Sequence, residues 1–386
     1  MSKRKRKTGT ASAPSAIPYG PKPSIAERPP ENKAEIVART LANFFYGEGS
    51  FTALRKHPGY RPPVVPTGDD GETEERIQAD PAFGGLAVQA VGYERGKAAD
   101  PAVHIYVLRA SRSIQKKLPE TINEVPLVVN RMGRVMTSPG ALAGANYFQR
   151  DGRVACGSSC APSAERYAGT FGALVRANDH PGKLFCLSNN HVLAACNHVP
   201  VGQPIMSPAM LDSGPAAAPR HIANHTAIVE LRSGVPELVP VNQVDIAIAE
   251  VADDGVVSSW QGDDTDGYDS PDTIVVPISG TRVKKFGRSS GLTLGTIESM
   301  TVSYQPVPYN STNFKAIAWF ENVWVVRGDG GPFSIPGDSG SLVVSEDGDN
   351  AVGVVFAGAG DYGWICPMDS VQNLFGGVSL VTNHNV

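Results

Sequence analysis

The 386-residue sequence predicts a mainly β protein built around two packed antiparallel barrels, behind a small α+β N-terminal region. Three observations carry this. No long helical stripe runs through the chain, whereas β-branched apolar runs recur from residue 170 onward. About ten such runs are separated by turn residues, which suits two barrels with a cleft between them. Gly (41) and Pro (31) are abundant, as many short turns require.

Composition narrows the function. The formal net charge is −4, so no general affinity for nucleic acid is expected. The charge is uneven: residues 1–30 carry a net +6 and the remainder −10. The basic start is followed by proline and small residues rather than an apolar core, unlike a secretory leader. No run of 18 apolar residues occurs, so no membrane span is expected. Five cysteines, an odd number, favour reduced thiols and a cytoplasmic setting.

Residues 1–31 read as a disordered basic arm, rich in Pro, Ser and Lys/Arg. Region 32–138 is expected to be a small α+β accessory unit. Asn32 and Glu35 suggest a capping box, with Ile36, Val37, Thr40, Leu41 and Phe44 on one helical face. Ser50 is placed to cap a second helix over 51–57, and the acidic patch 69–75 reads as a linker. Strands are expected over 85–93, 102–109 and 126–130. A role in packing against the rest of the chain or binding a regulatory protein fits this region.

The larger unit spans 139–386. Strands are expected over 170–176, 184–188, 222–231, 244–251, 273–278, 281–286, 294–302, 316–326, 341–345 and 352–357. Segment 253–272 holds seven aspartates and no Lys or Arg. Its Asp264-Thr265-Asp266-Gly267 lacks the glutamate that closes a calcium loop, so a solvated linker is expected.

The chemistry concentrates in Gly337-Asp338-Ser339-Gly340-Ser341, ahead of the strand at Leu342. The glycines permit positive φ, and the N–H groups of Gly337 and Ser339 can converge on one point, as an oxyanion hole requires. A serine hydroxyl needs a base and a group to orient that base. His191 stands in Ser188-Asn189-Asn190-His191-Val192-Leu193, and Asp245 in Val244-Asp245-Ile246-Ala247. The order is His, Asp, Ser. Taken singly, each motif also reads as a turn, a packed histidine and a strand-end acid.

With these boxes the chain resembles the chymotrypsin-like (trypsin-fold) serine peptidases, and most closely bacterial trypsin-like peptidases. Ala168-Gly169-Thr170-Phe171-Gly172 and Gly287-Arg288-Ser289-Ser290-Gly291 extend the likeness, which runs from about Cys156 to Phe375. Ser341 departs from the second glycine usual in animal enzymes. The resemblance implies two chymotrypsin-type barrels and a serine endopeptidase with Ser339 as nucleophile, His191 as general base and Asp245 as its orienter. It implies a buried ion pair at Asp338, with Lys284, Lys285 or Arg288 as partner. It places Phe333 at the base of the specificity pocket. Phe356, Ala357 and Gly358 should pair with the substrate backbone as an added strand. No acid stands at the pocket base, which favours a small or apolar side chain before the scissile bond. Secreted relatives clamp the histidine loop with a disulfide, so a Cys186–Cys196 bridge is an open option. A zinc site from Cys156, Cys160, Cys186, Cys196 and His198 is another, though its spacing matches no recognised ligand pattern. No cofactor or metal is expected. The partner is a protein or peptide substrate. The rival reading is an inactive or single-turnover member of the fold that binds a peptide; an esterase on the same residues is a third.

Overall fold

The strand Gly291–Thr301 holds the molecule together, because it closes the barrel along most of its length and carries the N-terminal strands at its end. In the computed structural model the described residues are 30, 32–48, 87–97, 99–108, 118–137, 145–215, 217–234, 241–311 and 313–386. The expected arm, except Pro30, the helix over 51–57 and the linker over 69–75 lie outside them.

Residues 291–300 of this strand close a six-stranded antiparallel barrel. Round it run Arg282–Gly287, Leu342–Ser345, Asn350–Ala359, Tyr362–Pro367, Trp324–Gly328 and Gly291–Thr301, which pairs back with Arg282–Gly287. Each strand of the ring is paired with both ring neighbours over part of its length. A second, eight-stranded antiparallel sheet contains Phe185–Ser188, Ala247–Val251 and Arg220–Ile228 at its centre. Its end strand Gly169–Thr170 runs within three residues into Ala173–Ala177 near the other end, so the sheet curls round on itself. The mainly β, two-barrel form expected from the sequence is thus present.

The end of Gly291–Thr301, at Met300 and Thr301, carries the N-terminal strands. Val88–Tyr93 pairs with it antiparallel, with Gly92 opposite Thr301. Val103–Val107 follows, then Val125–Arg131 in parallel. The helix Lys33–Glu48 covers this extension. Val37, Leu41, Val91 and Ile105 belong to one core with Val283, Ile297, Trp324 and Val343 of the closed barrel. The described residues of region 32–138 therefore share both a sheet and a core with that barrel.

Several local expectations shift. Asn32 does cap the helix, accepting from the Glu35 N–H at 2.9 Å, but the Glu35 carboxylate binds Arg39 and Tyr93 instead of reaching back. The buried face is Ala34, Val37, Ala38, Leu41 and Phe45, while Ile36 and Phe44 are half-buried. Expected strand 316–326 is two strands, Lys315–Phe320 and Trp324–Gly328, broken at Asn322 with φ +58°. The first forms a separate hairpin with Gln305–Asn310. The aspartate-rich segment is no simple linker: its Val257–Gln261 pairs with Arg153–Cys156, and Asp263 accepts from the N–H groups of Thr265 and Asp266.

Candidate active site

His191 lies in the one-turn helix Asn190–Leu193, directly after the strand Phe185–Ser188. Both preceding asparagines fasten that turn. Asn189 Nδ2 donates to the Asp245 carbonyl at 2.6 Å, and Asn190 Nδ2 to the Val229 carbonyl at 2.7 Å and Asn197 Oδ1 at 2.6 Å. Asp245 precedes the strand Ala247–Val251, which pairs with Phe185–Ser188, so strand pairing brings acid and imidazole together.

The resulting pair is tight. His191 Nδ1 lies 2.5 Å from Asp245 Oδ2, and the His191 N–H donates to Oδ1 at 3.2 Å. Asp245 is fully buried and His191 nearly so. A third donor is the Tyr309 hydroxyl, 2.8 Å from Asp245 Oδ2. The Tyr309 ring also stands edge-on to His191, centroids 5.5 Å apart. Burial, then the Asp245 charge, push the Tyr309 phenol well above its ordinary range, which keeps it a donor. Sequence reading missed Tyr309, which sits on the hairpin 64 residues from Asp245 with no local signal of its role.

Ser339 comes from the other barrel, on the loop before Leu342–Ser345. Gly337 (φ +103°) and Gly340 (φ +98°) occupy left-handed conformations that favour glycine. The loop meets the histidine barrel directly: Thr170 N–H donates to the Ser339 carbonyl at 2.8 Å, and Thr170 Oγ1 to the Gly337 carbonyl at 2.9 Å. The Ser339 hydroxyl donates to the Phe356 carbonyl at 3.4 Å. His191 Nε2 is buried and, among the described residues, without a hydrogen-bond partner. The structure therefore forms the His191–Asp245 pair and brings the Ser339 loop against the same barrel, but no hydrogen bond joins Ser339 to His191.

Of the three cations considered for Asp338, the structure selects Lys285. Its Nζ lies 3.3 Å from Asp338 Oδ2, both side chains being fully buried. Asp338 also accepts from Ser290 Oγ at 2.7 Å and from the N–H groups of Ser289, Ser290 and Ile335. Burial alone would raise its pKa, but Lys285 and these donors hold it below the ordinary carboxylate range. Arg288 is engaged elsewhere, forked onto Asp212 at 2.5 and 2.8 Å. Lys284 lies over the Tyr268 ring.

Beside Ser339 is a cavity of about 150 Å³, walled by Ser334, Ile335 and Pro336 on one side and Val355, Ala357 and Gly358 on the other. No acidic residue lines it. Ala357 and Gly358 line this cavity together with Ser339. Phe333 is fully buried in the barrel core, outside the lining, and adjoining Ser334 takes its place. Phe356 offers its carbonyl, while its ring is buried on Phe320, centroids 4.8 Å apart.

All five cysteines are buried free thiols, so the optional Cys186–Cys196 bridge is not formed. Among the described residues no three His, Cys, Asp or Glu side chains are placed to hold a metal ion. No described helix is long and apolar enough to cross a membrane.

The chain is 24% identical over 379 residues to Protein NARROW LEAF 1 of Oryza sativa subsp. japonica, covering 87% of this chain and 62% of that protein. It thus spans less than two thirds of that relative's length. Among solved structures, it is similar to Thermobifida fusca Protease A (TM-score 0.39, 16% identity), covering 59% of this chain and 100% of that one. Cellulomonas bogoriensis chymotrypsin gives a TM-score of 0.37 at 15% identity, covering 59% and 98%. Residues 268–380, which hold Tyr309, Asp338 and Ser339 but neither His191 nor Asp245, match the family model of the Nal1 C-terminal domain.

Proposed function

We propose that the chain is a serine endopeptidase acting through Ser339, His191 and Asp245. The observation that carries this is the buried His191–Asp245 pair, held by Tyr309 and facing a glycine-framed serine loop from the opposite barrel. Asp245 against Nδ1 fixes the tautomer that leaves Nε2 as the proton acceptor. On engaging Nε2, Ser339 Oγ gives its proton to His191 as it adds to the scissile carbonyl. His191 then returns that proton to the leaving amine, and the acyl-enzyme is hydrolysed by the reverse sequence with water.

Gly337 and Ser339 N–H groups would receive the oxyanion; among the described residues neither has a hydrogen-bond acceptor. Loss of one such donor typically costs about 10²–10³ in rate. The acid-free cavity favours a small or apolar side chain before the scissile bond. Five unpaired thiols suit a reducing compartment.

The test is fluorophosphonate labelling and peptide-library cleavage, wild type beside Ser339→Ala. Labelling at Ser339 and cleavage lost in the variant are expected, with Asp245→Asn slowed by about 10⁴. A Ser339→Ala chain that cleaves at the wild-type rate ends the proposal. A second reading, a non-catalytic peptide binder, is favoured by the Ser339 hydroxyl bonding Phe356 rather than His191. It predicts no labelling at all.

A further inference from the structure

After the strand Val125–Arg131, the chain leaves the N-terminal sheet and passes over the closed barrel. Met132 and Val135 are buried in the core that also holds Phe320 and Phe356. The Thr137 hydroxyl donates to the Pro308 carbonyl at 2.7 Å, next to the tyrosine that binds Asp245. Between these anchors Met136 forms an antiparallel bridge with Gly358. Its N–H donates to the Gly358 carbonyl at 3.0 Å and its carbonyl accepts from the Gly358 N–H at 3.1 Å. Arg134 and Met136 line the same cavity as Ser339.

The edge at Gly358 is open for a reason. Pairing of Asn350–Ala359 with Leu342–Ser345 ends at Val354, and Ser341 and Gly340 bond the next residue, Val355, so the ladder on that side stops there. The strand bulges between Val355 and Ala357, and past the end of that ladder other groups meet its backbone: Met136 takes Gly358, and the Ser339 hydroxyl takes the Phe356 carbonyl.

We infer that this edge is a strand-binding surface whose resident partner is the chain's own segment 134–137, which an extended polypeptide must displace to lie beside Ser339. The inference rests on the peptidase reading for its consequence, though not for its geometry. A strand that bonds both Gly358 and Phe356 evicts Met136 and frees the Ser339 hydroxyl from the Phe356 carbonyl. Entry of substrate and release of the serine are then one event.

The experiment uses the full chain with Ser339→Ala, so that binding is read without turnover. Met136→Pro removes the N–H donor and blocks pairing, while Met136→Ala keeps both backbone bonds. Met136 is 49% exposed, so neither change opens a core cavity. Fluorescein-labelled reduced casein should bind the Met136→Pro chain about ten- to thirtyfold more tightly than the parent, the competition of two backbone hydrogen bonds being removed. Met136→Ala should bind as the parent does. Thr137→Val, which loosens the anchor without a proline, should give a smaller gain in the same direction. Casein that binds the parent and Met136→Pro chains equally, or neither, overturns the inference. With Ser339 restored, tighter binding without any cleavage would sink the peptidase reading and leave the strand-binding surface standing.

Discussion

The Tyr309 hydroxyl donates to Asp245 Oδ2, the oxygen that also faces His191 Nδ1, so one carboxylate oxygen is shared between the base and a tyrosine from the separate hairpin. Tyr309→Phe leaves that buried oxygen one donor short, at a stability cost of about 1–3 kcal/mol. With Asp245 less firmly held, the imidazole it orients is less well placed, and kcat/KM should fall about tenfold. Steady-state kinetics of the two proteins decide it; an unchanged kcat/KM would reduce Tyr309 to packing.

The Lys285–Asp338 pair should govern acid stability. Lys285→Met leaves a fully buried carboxylate without its countercharge, at a cost of about 3–5 kcal/mol at neutral pH. Asp338 is held below its ordinary pKa, so the stability it contributes is fully present above the unfolded-state value, about 4, and is lost as pH falls through the lower folded value. Urea unfolding from pH 7 down to pH 2 should show wild type losing stability across this window. Asp338→Asn should start lower and change less.

Gly340 lies where the two barrels touch. A Cβ there would collide with the Ser188 hydroxyl and the Thr170 carbonyl, and one on Gly172 would collide with the Gly340 carbonyl. Gly340→Ala, strained further by φ +98°, should lower stability by about 1–3 kcal/mol or more and displace Ser339. Thermal melting and fluorophosphonate labelling should both fall. A Gly340→Ala chain that melts and labels as wild type would contradict this contact.

Cys186 and Cys196 are separate buried thiols, and burial raises both well above the ordinary thiol range. Excess reductant should leave the melting temperature unchanged, and non-reducing mass analysis should show five thiols in the unfolded chain. A fall in melting temperature on reduction would reveal a bridge that stabilises the histidine loop.

Much of the fold and of the candidate site was legible in the sequence because the signals are local. A glycine-framed serine ahead of an apolar strand, a histidine at a strand end and an acid before a strand each declare a backbone shape within a few residues. The central strands show as β-branched runs for the same reason, whereas Arg153–Cys156, Pro204–Ser207 and Gln305–Asn310 are short and interrupted by charge, proline or amide, and left no such trace. The helix face was misplaced by part of a turn because the helix is buried on more sides than an amphipathic pattern assumes.

The sequence by itself determined the mainly β class and the three boxes, and the resemblance they carry implied a cation for Asp338. Only the tertiary structure decided which cation it is, that Tyr309 completes the Asp245 environment, that Phe333 belongs to the core, and that Met136 bridges Gly358. The physical reason is distance along the chain. A turn or strand is encoded by neighbours within a few residues, but a contact between segments tens to hundreds of residues apart exists only once sheet closure and barrel docking have fixed where each backbone runs.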